Sequence, residues 1–249
     1  MEPSNNNSVK AILFDLDNTL IDTSGAGKIA IEKVNHFLKS KFDDEDGIID
    51  VSERFKTKLC QESFDPLKMN IDNLRTSHWD EAIQEIKGTG PNRTLASECY
   101  HLWKSTRLKC LAIPDPVKSM LAELRKTYKL LLLTNGDTQT QREKIRAVGC
   151  QELFDAVIVG GEHAEEKPAA SIFLHCCEIL GVKPESCVMV GDSVDTDIQG
   201  GINAGFKATV WISKTAVTAE AARPHYTVPT VLDVTTILNN MNQEPLCLL

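Results

Sequence analysis

No stretch of this chain approaches the ~20 consecutive apolar residues needed to cross a bilayer. None of its eight cysteines forms a Cys-x-x-Cys pair, and no secretory hydrophobic region stands near the polar residues 3–8. Both absences argue against an exported, disulfide-stapled protein and for reduced thiols in the cytoplasm. Cys247 is third from the end, so it does not form a four-residue prenylation box, and Glu2 excludes N-myristoylation. Positive charge is also short. The net charge of −8 argues against nucleic acid or an anionic membrane as the main partner, so an anionic substrate must be met by local cations. With 25% charged and 42% hydrophobic residues, the 249-residue chain has the ordinary mixture of a soluble globular protein. Its length allows one large domain or a core carrying a smaller insert.

The first apolar run begins at Val9 and reads through Ala11, Ile12, Leu13 and Phe14 as a buried β-strand. It delivers Asp15 and Asp17 to its C-terminal end, where open α/β sheets place their chemistry. Residues two apart on a strand point the same way. Both carboxylates are therefore expected to face one reacting group, one as nucleophile and the other as acid/base. Two close carboxylates repel each other and any anionic substrate, which calls for a cation between them. The plainer alternative is a strand ending in an Asx turn, with Asp17, Asn18 and Thr19 bonding their own backbone.

Helical spacing then takes over. Ala26, Ile29, Ala30, Val34, Phe37 and Leu38 outline an amphipathic helix, and similar patterns recur over residues 51–62, 74–86 and 93–108, with turn-rich breaks at 43–47, 65–66 and 88–91. Four helices without a strand indicate an all-helical insert, the alternative being further helices of the main fold. Asp115 is expected to cap the next helix with Pro116 at its first position. Beyond it strands and helices alternate. Residues 129–133, 156–159, 187–190 and 208–212 are apolar runs of strand length. Between them lie a helix over 138–148 stopped by Gly149, one through Ile172, Phe173, Ile179 and Leu180 stopped by Gly181, and a short one carrying Ile198 and Ile202. Adjacent Cys176 and Cys177 are expected to pack rather than react. This alternation implies an α/β fold, a doubly wound parallel sheet covered on both faces. The tail from Lys214 is less patterned, with a last helical stretch over 231–241 and a mobile end. The expected division is a core of residues 1–21 and 114–249 around a helical domain of residues 22–113.

Three more polar groups follow apolar strands and so are gathered beside Asp15 and Asp17: Thr134-Asn135, Glu165-Glu166-Lys167-Pro168, and Gly191-Asp192 with Asp197 downstream. Singly they read as turn formers, a solvated cation and a helix cap. In this order, each at a strand end, they resemble the four signature motifs of the haloacid dehalogenase-like hydrolase superfamily. The resemblance covers residues 9–21 and 115–212, and the helical insert stands where that family places its type-1 cap. It implies a Rossmann-like core, Mg²⁺ dependence and an aspartyl-enzyme intermediate. Asp15 would be the nucleophile and Asp17 the acid/base. The backbone of Leu16 and Asp17, the Thr134 hydroxyl and the Asn135 backbone N–H would bind phosphoryl oxygens, and Lys167 would neutralise their charge. Asp15, the Asp17 carbonyl and Asp192 would hold the metal, with Asp197 supporting it from behind. Phosphoryl transfer asks an enzyme mainly for positioning and charge stabilisation, which suits such a set. By the same resemblance an aspartate at position 17 fits phosphatases and phosphomutases. The dehalogenase branch typically lacks it, and the cation-pumping ATPases carry threonine there.

Four further segments carry a narrower resemblance, from about residue 9 to 212, to the branch of the superfamily acting on sialic acid 9-phosphates. They are Arg75-Thr76-Ser77-His78-Trp79-Asp80-Glu81-Ala82-Ile83, Leu102-Trp103-Lys104-Ser105-Thr106-Arg107, Thr134-Asn135-Gly136-Asp137 and Gln141-Arg142-Glu143-Lys144. This implies a small-molecule sugar phosphate whose carboxylate is remote from the phosphate. Arg75, His78, Lys104 and Arg107 are the candidates to meet it. The alternative makes them solvated helix faces, with Trp79 and Trp103 as core. Competing functions are a phosphatase or phosphomutase on another small sugar phosphate, a phosphorylatable switch similar to receiver domains, and a binding module without catalysis. Asp17 as a ready hydrolytic base and the intact polar set favour the phosphatase.

Overall fold

The computed structural model describes residues 8–42, 46–214 and 222–243. The expectations for residues 3–7, for residues 43–45, for Cys247 and for the chain end lie outside them. Two compact units emerge: Thr23–Leu111, and the chain on either side of it.

The helical unit holds α1 (Thr23–Lys39), α2 (Ile48–Cys60), α3 (Ile71–Lys87) and α4 (Arg93–Cys110). Local chemistry sets their ends. Asn70 accepts a hydrogen bond from the Asp72 N–H and Asn92 one from the Leu95 N–H, capping α3 and α4, while Gly88 ends α3 in the left-handed region at φ 64°. The buried stripes converge on an aromatic centre. Phe55 stacks on Trp79 at 4.0 Å and meets Trp103 edge-on at 5.3 Å. Both tryptophans are buried core, as the plainer reading had it. Such pairs add about 0.5–1.5 kcal/mol each beyond the area they bury, and truncating Trp79 to Ala would cost roughly 3–5 kcal/mol.

The second unit is built on a six-stranded, wholly parallel sheet: β1 (Ala11–Phe14), β2 (Lys129–Thr134), β3 (Ala156–Val159), β4 (Cys187–Gly191), β5 (Ala208–Ile212) and β6 (Tyr226–Val228), in the order β3-β2-β1-β4-β5-β6. Its helices are α5 (Asp115–Leu124), α6 (Thr138–Val148), α7 (Ala170–Leu180), α8 (Gln199–Asn203) and α9 (Val234–Gln243). β1 and β4 are buried throughout and β2 after its first residue, which is why these strands read as unbroken apolar runs rather than alternating ones. Ala11, Leu13, Leu131, Leu133 and Met189 form one cluster with Ile172, Phe173, Cys176, Cys177 and Leu180 of α7. The paired cysteines therefore pack, as expected.

Several expectations need correction; Ile29 of α1 and Ile202 of α8, expected to mark apolar helix faces, are exposed. Asp115 does not cap α5; it is the first helical residue, pairing with Lys118 at 3.2 Å, while the Pro114 carbonyl accepts from the Val117 and Lys118 N–H groups. Ile179 is exposed, because Cys176, Cys177 and Leu180 take the inward face of α7. β6 lies in the tail that showed little pattern, three residues pairing with β5 at the sheet edge.

Candidate active site

Asp15 and Asp17 leave the end of β1 in a tight turn rather than sharing the strand. The Asp15 N–H donates to Val190 O at 2.9 Å, extending the pairing with β4 by one residue. The chain then folds back: the Leu20 and Ile21 N–H groups donate to Leu16 O at 3.0 and 3.2 Å, the Asn18 N–H donates to Ile21 O at 2.8 Å, and Asn18 takes a left-handed φ of 58°. The backbone of Leu16 and Asp17 forms this turn. The two carboxylates accordingly meet different partners, although the sequence placed them on one face.

The Asp15 carboxylate is buried and accepts from Lys167 Nζ at 2.7 Å. Lys167 Nζ also donates to Asp197 at 2.7 Å and to Leu133 O at 2.9 Å, so its three ammonium protons have three acceptors. Its position comes from Asn135, whose side-chain amide clamps the Lys167 backbone from both sides: Nδ2 donates to Lys167 O at 2.8 Å and Oδ1 accepts the Lys167 N–H at 3.0 Å. Glu166 adds a tie, accepting the Gly136 N–H at 3.0 Å. The expected role of Asn135 concerned its backbone N–H; the side chain's hold on the lysine loop is additional.

Asp192 follows β4, and its carbonyl accepts from the Trp211 indole N–H at 2.8 Å. Asp197 lies on a single π turn, Val194–Ile198, that begins after Ser193 and runs into α8. Its second oxygen accepts the Ser193 N–H at 3.1 Å, so Lys167 and Ser193 together occupy both oxygens. The close approach requires a glycine at 191: a Cβ there would stand 2.1 Å from an Asp197 oxygen.

Carboxylate oxygens of Asp15, Asp192 and Asp197 come within 4.8 Å of one another. Burial first, and then neighbouring carboxylates, push the Asp15 carboxyl up to about 7 despite Lys167, and Asp192 up to about 6. Lys167 is raised as well: burial disfavours its charge, yet Asp15 and Asp197 hold it above the ordinary lysine value. One lysine does not balance this crowd of negative charge. Hard oxygen donors, converging and under-compensated, fit a divalent cation such as those that bind carboxylates through oxygen.

Asp17 has a lysine of its own. Lys144 Nζ, buried on α6, donates to both Asp17 oxygens at 2.9 and 2.7 Å. Gln141 Nε2, one helical turn earlier, has three acceptors within reach of its two protons: Asp17 at 3.0 Å, the Thr134 hydroxyl oxygen at 2.6 Å and Asn135 O at 2.7 Å. The Thr134 hydroxyl and the Asp17 carboxylate therefore share one amide nitrogen as a neighbour. Neither Gln141 nor Lys144 was assigned a role from sequence, although α6 gives a signal. Its buried residues are Gln141, Lys144 and Ile145, so two polar side chains occupy the face that packing would fill with apolar ones.

The four candidates for reading a sugar are in the helical unit. Arg75 donates to Glu62 (Nη2–Oε1 2.9 Å) and His78 stands 3.4 Å from the same carboxylate. Lys104 donates to Asp72 at 2.8 Å, an oxygen that the Tyr100 hydroxyl also donates to, and the Arg107 guanidinium lies 5.2 Å above the Trp103 ring. Against the burial that would raise it, His78 and Arg75 hold the Glu62 carboxyl below its ordinary value.

Compared with known proteins, residues 9–205 match the family of haloacid dehalogenase-like hydrolases. The chain is 54% identical over 236 residues to the N-acylneuraminate-9-phosphatases of Mus musculus and Homo sapiens, a match covering 94% of this chain and 95% of each relative. In fold it is similar to the HAD-hydrolase YfnB of Bacillus subtilis, whose structure was determined with magnesium, at a TM-score of 0.68 and 22% identity, covering 93% of this chain and 99% of that one.

Proposed function

The chain belongs to the haloacid dehalogenase-like hydrolase family, and from that premise we propose that it is a phosphatase that hydrolyses N-acylneuraminate 9-phosphate to free sialic acid and inorganic phosphate. The similarity to phosphatases of that name supports the substrate, since a match over 94% of the chain includes most of the helical unit as well as the sheet. The observation that carries the reaction type is the pair Asp15 and Asp17, one carboxylate against Lys167 and the other against Lys144 beside Thr134.

The residues divide the work accordingly. Asp15 attacks the phosphorus in line, and the phosphorus–oxygen bond to the sugar breaks as Asp17 gives its proton to the leaving alkoxide. Asp17, now ionised, takes a proton from water as that water attacks the aspartyl phosphate, which releases phosphate and restores Asp15. Lys167 keeps charge off the transferring group, and the Thr134 hydroxyl with the N–H groups of Leu16, Asp17 and Asn135 orients its oxygens. Mg²⁺ fits this set: Asp15, the Asp17 carbonyl and Asp192 would hold it, with Asp197 supporting, and it would supply positive charge to the phosphoryl oxygens. Cytoplasmic residence agrees with seven cysteines that are free thiols among the described residues, and no described helix is long and apolar enough to cross a membrane.

A phosphate-release screen over sugar phosphates, with and without Mg²⁺, tests this. N-acetylneuraminate 9-phosphate should be preferred over glucose 6-phosphate by about ten- to a hundredfold in kcat/KM, the worth of one charge-assisted contact to its carboxylate. Neutralising Arg75, Lys104 or Arg107 in turn should erode that preference and spare a small aryl phosphate. Equal kcat/KM for the two sugars rejects the substrate. Isomerised sugar phosphate in place of free phosphate makes the protein a mutase.

A further inference from the structure

We propose that Lys144 and Gln141 are positioning residues for proton transfer: together they hold the ionised Asp17 carboxylate beside Thr134, where it takes a proton from the attacking water and passes that proton to the leaving oxygen of the next turnover. The inference rests on the phosphatase reading above and extends it to α6, which bears none of the family's four motifs.

Three observations carry it. First, the grip on Asp17 has two parts with different geometry. Lys144 reaches both carboxylate oxygens, fixing the plane of the group, and Gln141 Nε2 reaches Oδ2 alone, fixing its rotation toward Thr134. Second, the Gln141 amide can sit only one way round. Its nitrogen faces three acceptors, Asp17, Thr134 Oγ1 and Asn135 O, and a flipped amide would press its oxygen against a carboxylate and a carbonyl. Third, the arrangement is unfavourable as mere packing. The Gln141 oxygen is buried without a hydrogen-bond partner, and Lys144 takes a buried position on the inward face of α6. An apolar pair would fill the same space without an orphaned acceptor or a desolvated ammonium. These are the marks of side chains retained for what they orient.

Asp17 depends on such support because it sits in a turn rather than on a strand, so the backbone alone does not aim it. A misplacement of about 1 Å at a reacting group costs on the order of a hundredfold in rate. The proton matters most when the leaving oxygen is a poor leaving group. A sugar alkoxide needs it, whereas an acidic phenol departs as phenoxide without it.

The experiment measures kcat/KM for a series of phosphate monoesters running from alkyl alcohols to nitrophenols, in the Mg²⁺-loaded full-length protein. Lys144→Met should lose about a hundredfold on alkyl phosphates and progressively less as the leaving phenol becomes more acidic. Lys144→Arg, keeping the charge, should recover most of the loss. In an Asp17→Asn background Lys144→Met should cost nothing further, because the group it positions is gone. Gln141→Met should show the same pattern at smaller size, and decides the matter if Lys144→Met does not fold. An equal loss across all leaving groups, or a loss that multiplies with Asp17→Asn, makes the pair structural and overturns the proposal. So does a rise in kcat/KM, which would make Lys144 a restraint on Asp17. Failure of the underlying reading shows separately, as full turnover in Asp15→Asn.

Discussion

Two clusters of charge, one in each unit, set carboxylates against basic side chains to opposite ends. At the sheet, Asp15, Asp192 and Asp197 surround one lysine, and the carboxyls of Asp15 and Asp192 are pushed up. In the helical unit one carboxylate, Glu62, has both Arg75 and His78, and is held down. The stoichiometry decides the outcome. Three carboxylates to a lysine leave a deficit of positive charge that a further cation can fill, while the single Glu62 carboxylate already has the Arg75 guanidinium against it. A cluster left short of positive charge by its own chain is a place for a cation to bind.

The contrast can be broken at several points. Asp15→Asn should have the largest effect: an isosteric carboxamide cannot form the aspartyl phosphate, so turnover should fall by on the order of 10⁴-fold or more with folding intact. Circular dichroism and a phosphate assay on the same preparation check both halves, and near-normal turnover would falsify covalent catalysis. Next is Lys167→Met, which strands Asp15 and Asp197 without their cation. Removing one partner of a buried ion pair costs about 3–5 kcal/mol, read as a lower urea midpoint in chelator.

The third concerns pH and metal. A carboxyl whose folded value exceeds its unfolded one weakens the fold as pH rises through the interval. For Asp15 that interval runs from 3.8 to about 7 and for Asp192 from 3.8 to about 6. Chelated protein should therefore melt at progressively lower temperature as pH climbs from 4 to 7. Mg²⁺ at a hundred times its dissociation constant should return roughly 2.7 kcal/mol and flatten the slope. Ca²⁺ should bind but support activity poorly, being larger and taking more ligands. A chelated protein whose melting temperature is level over that range contradicts the charge deficit. The smallest effect belongs to Glu62, with the opposite sign. Its stabilising contribution is present above its ordinary 4.5 and is lost as pH falls through the lower folded value. Glu62→Gln should cost about 1 kcal/mol or less at neutral pH and make the acid limb of a melting-temperature profile shallower.

Most of this layout was legible because its signals are local and repeated. β1, β2, β4 and β5 are apolar runs of strand length, and the polar residues at their ends are those the sheet gathers. β6 was not legible, since Tyr226-Thr227-Val228 is too short for a period and becomes a strand only by pairing with the edge of β5. The separate partners of Asp15 and Asp17 were missed for a geometric reason. Two residues apart on a strand means one face, but the strand ends at Phe14 and the turn at Asn18 sends the second carboxylate toward α6. Lys144 and Gln141 meet Asp17 across more than a hundred residues of sequence. No spacing rule reaches that far; only the polar inward face of α6 hinted at it.

The central place of β1 in the sheet also shapes how the protein is made. Ala11–Phe14 is synthesised before both strands that flank it, β2 and β4, which lie beyond the whole helical unit. At 5–20 residues per second, the roughly 115 residues separating Phe14 from Lys129 take about 6–23 s to synthesise. Throughout that time a fully apolar strand has neither neighbour, while Thr23–Leu111 becomes available to fold on its own contacts. Anything that slows translation between the two units lengthens the interval in which β1 waits for its partners.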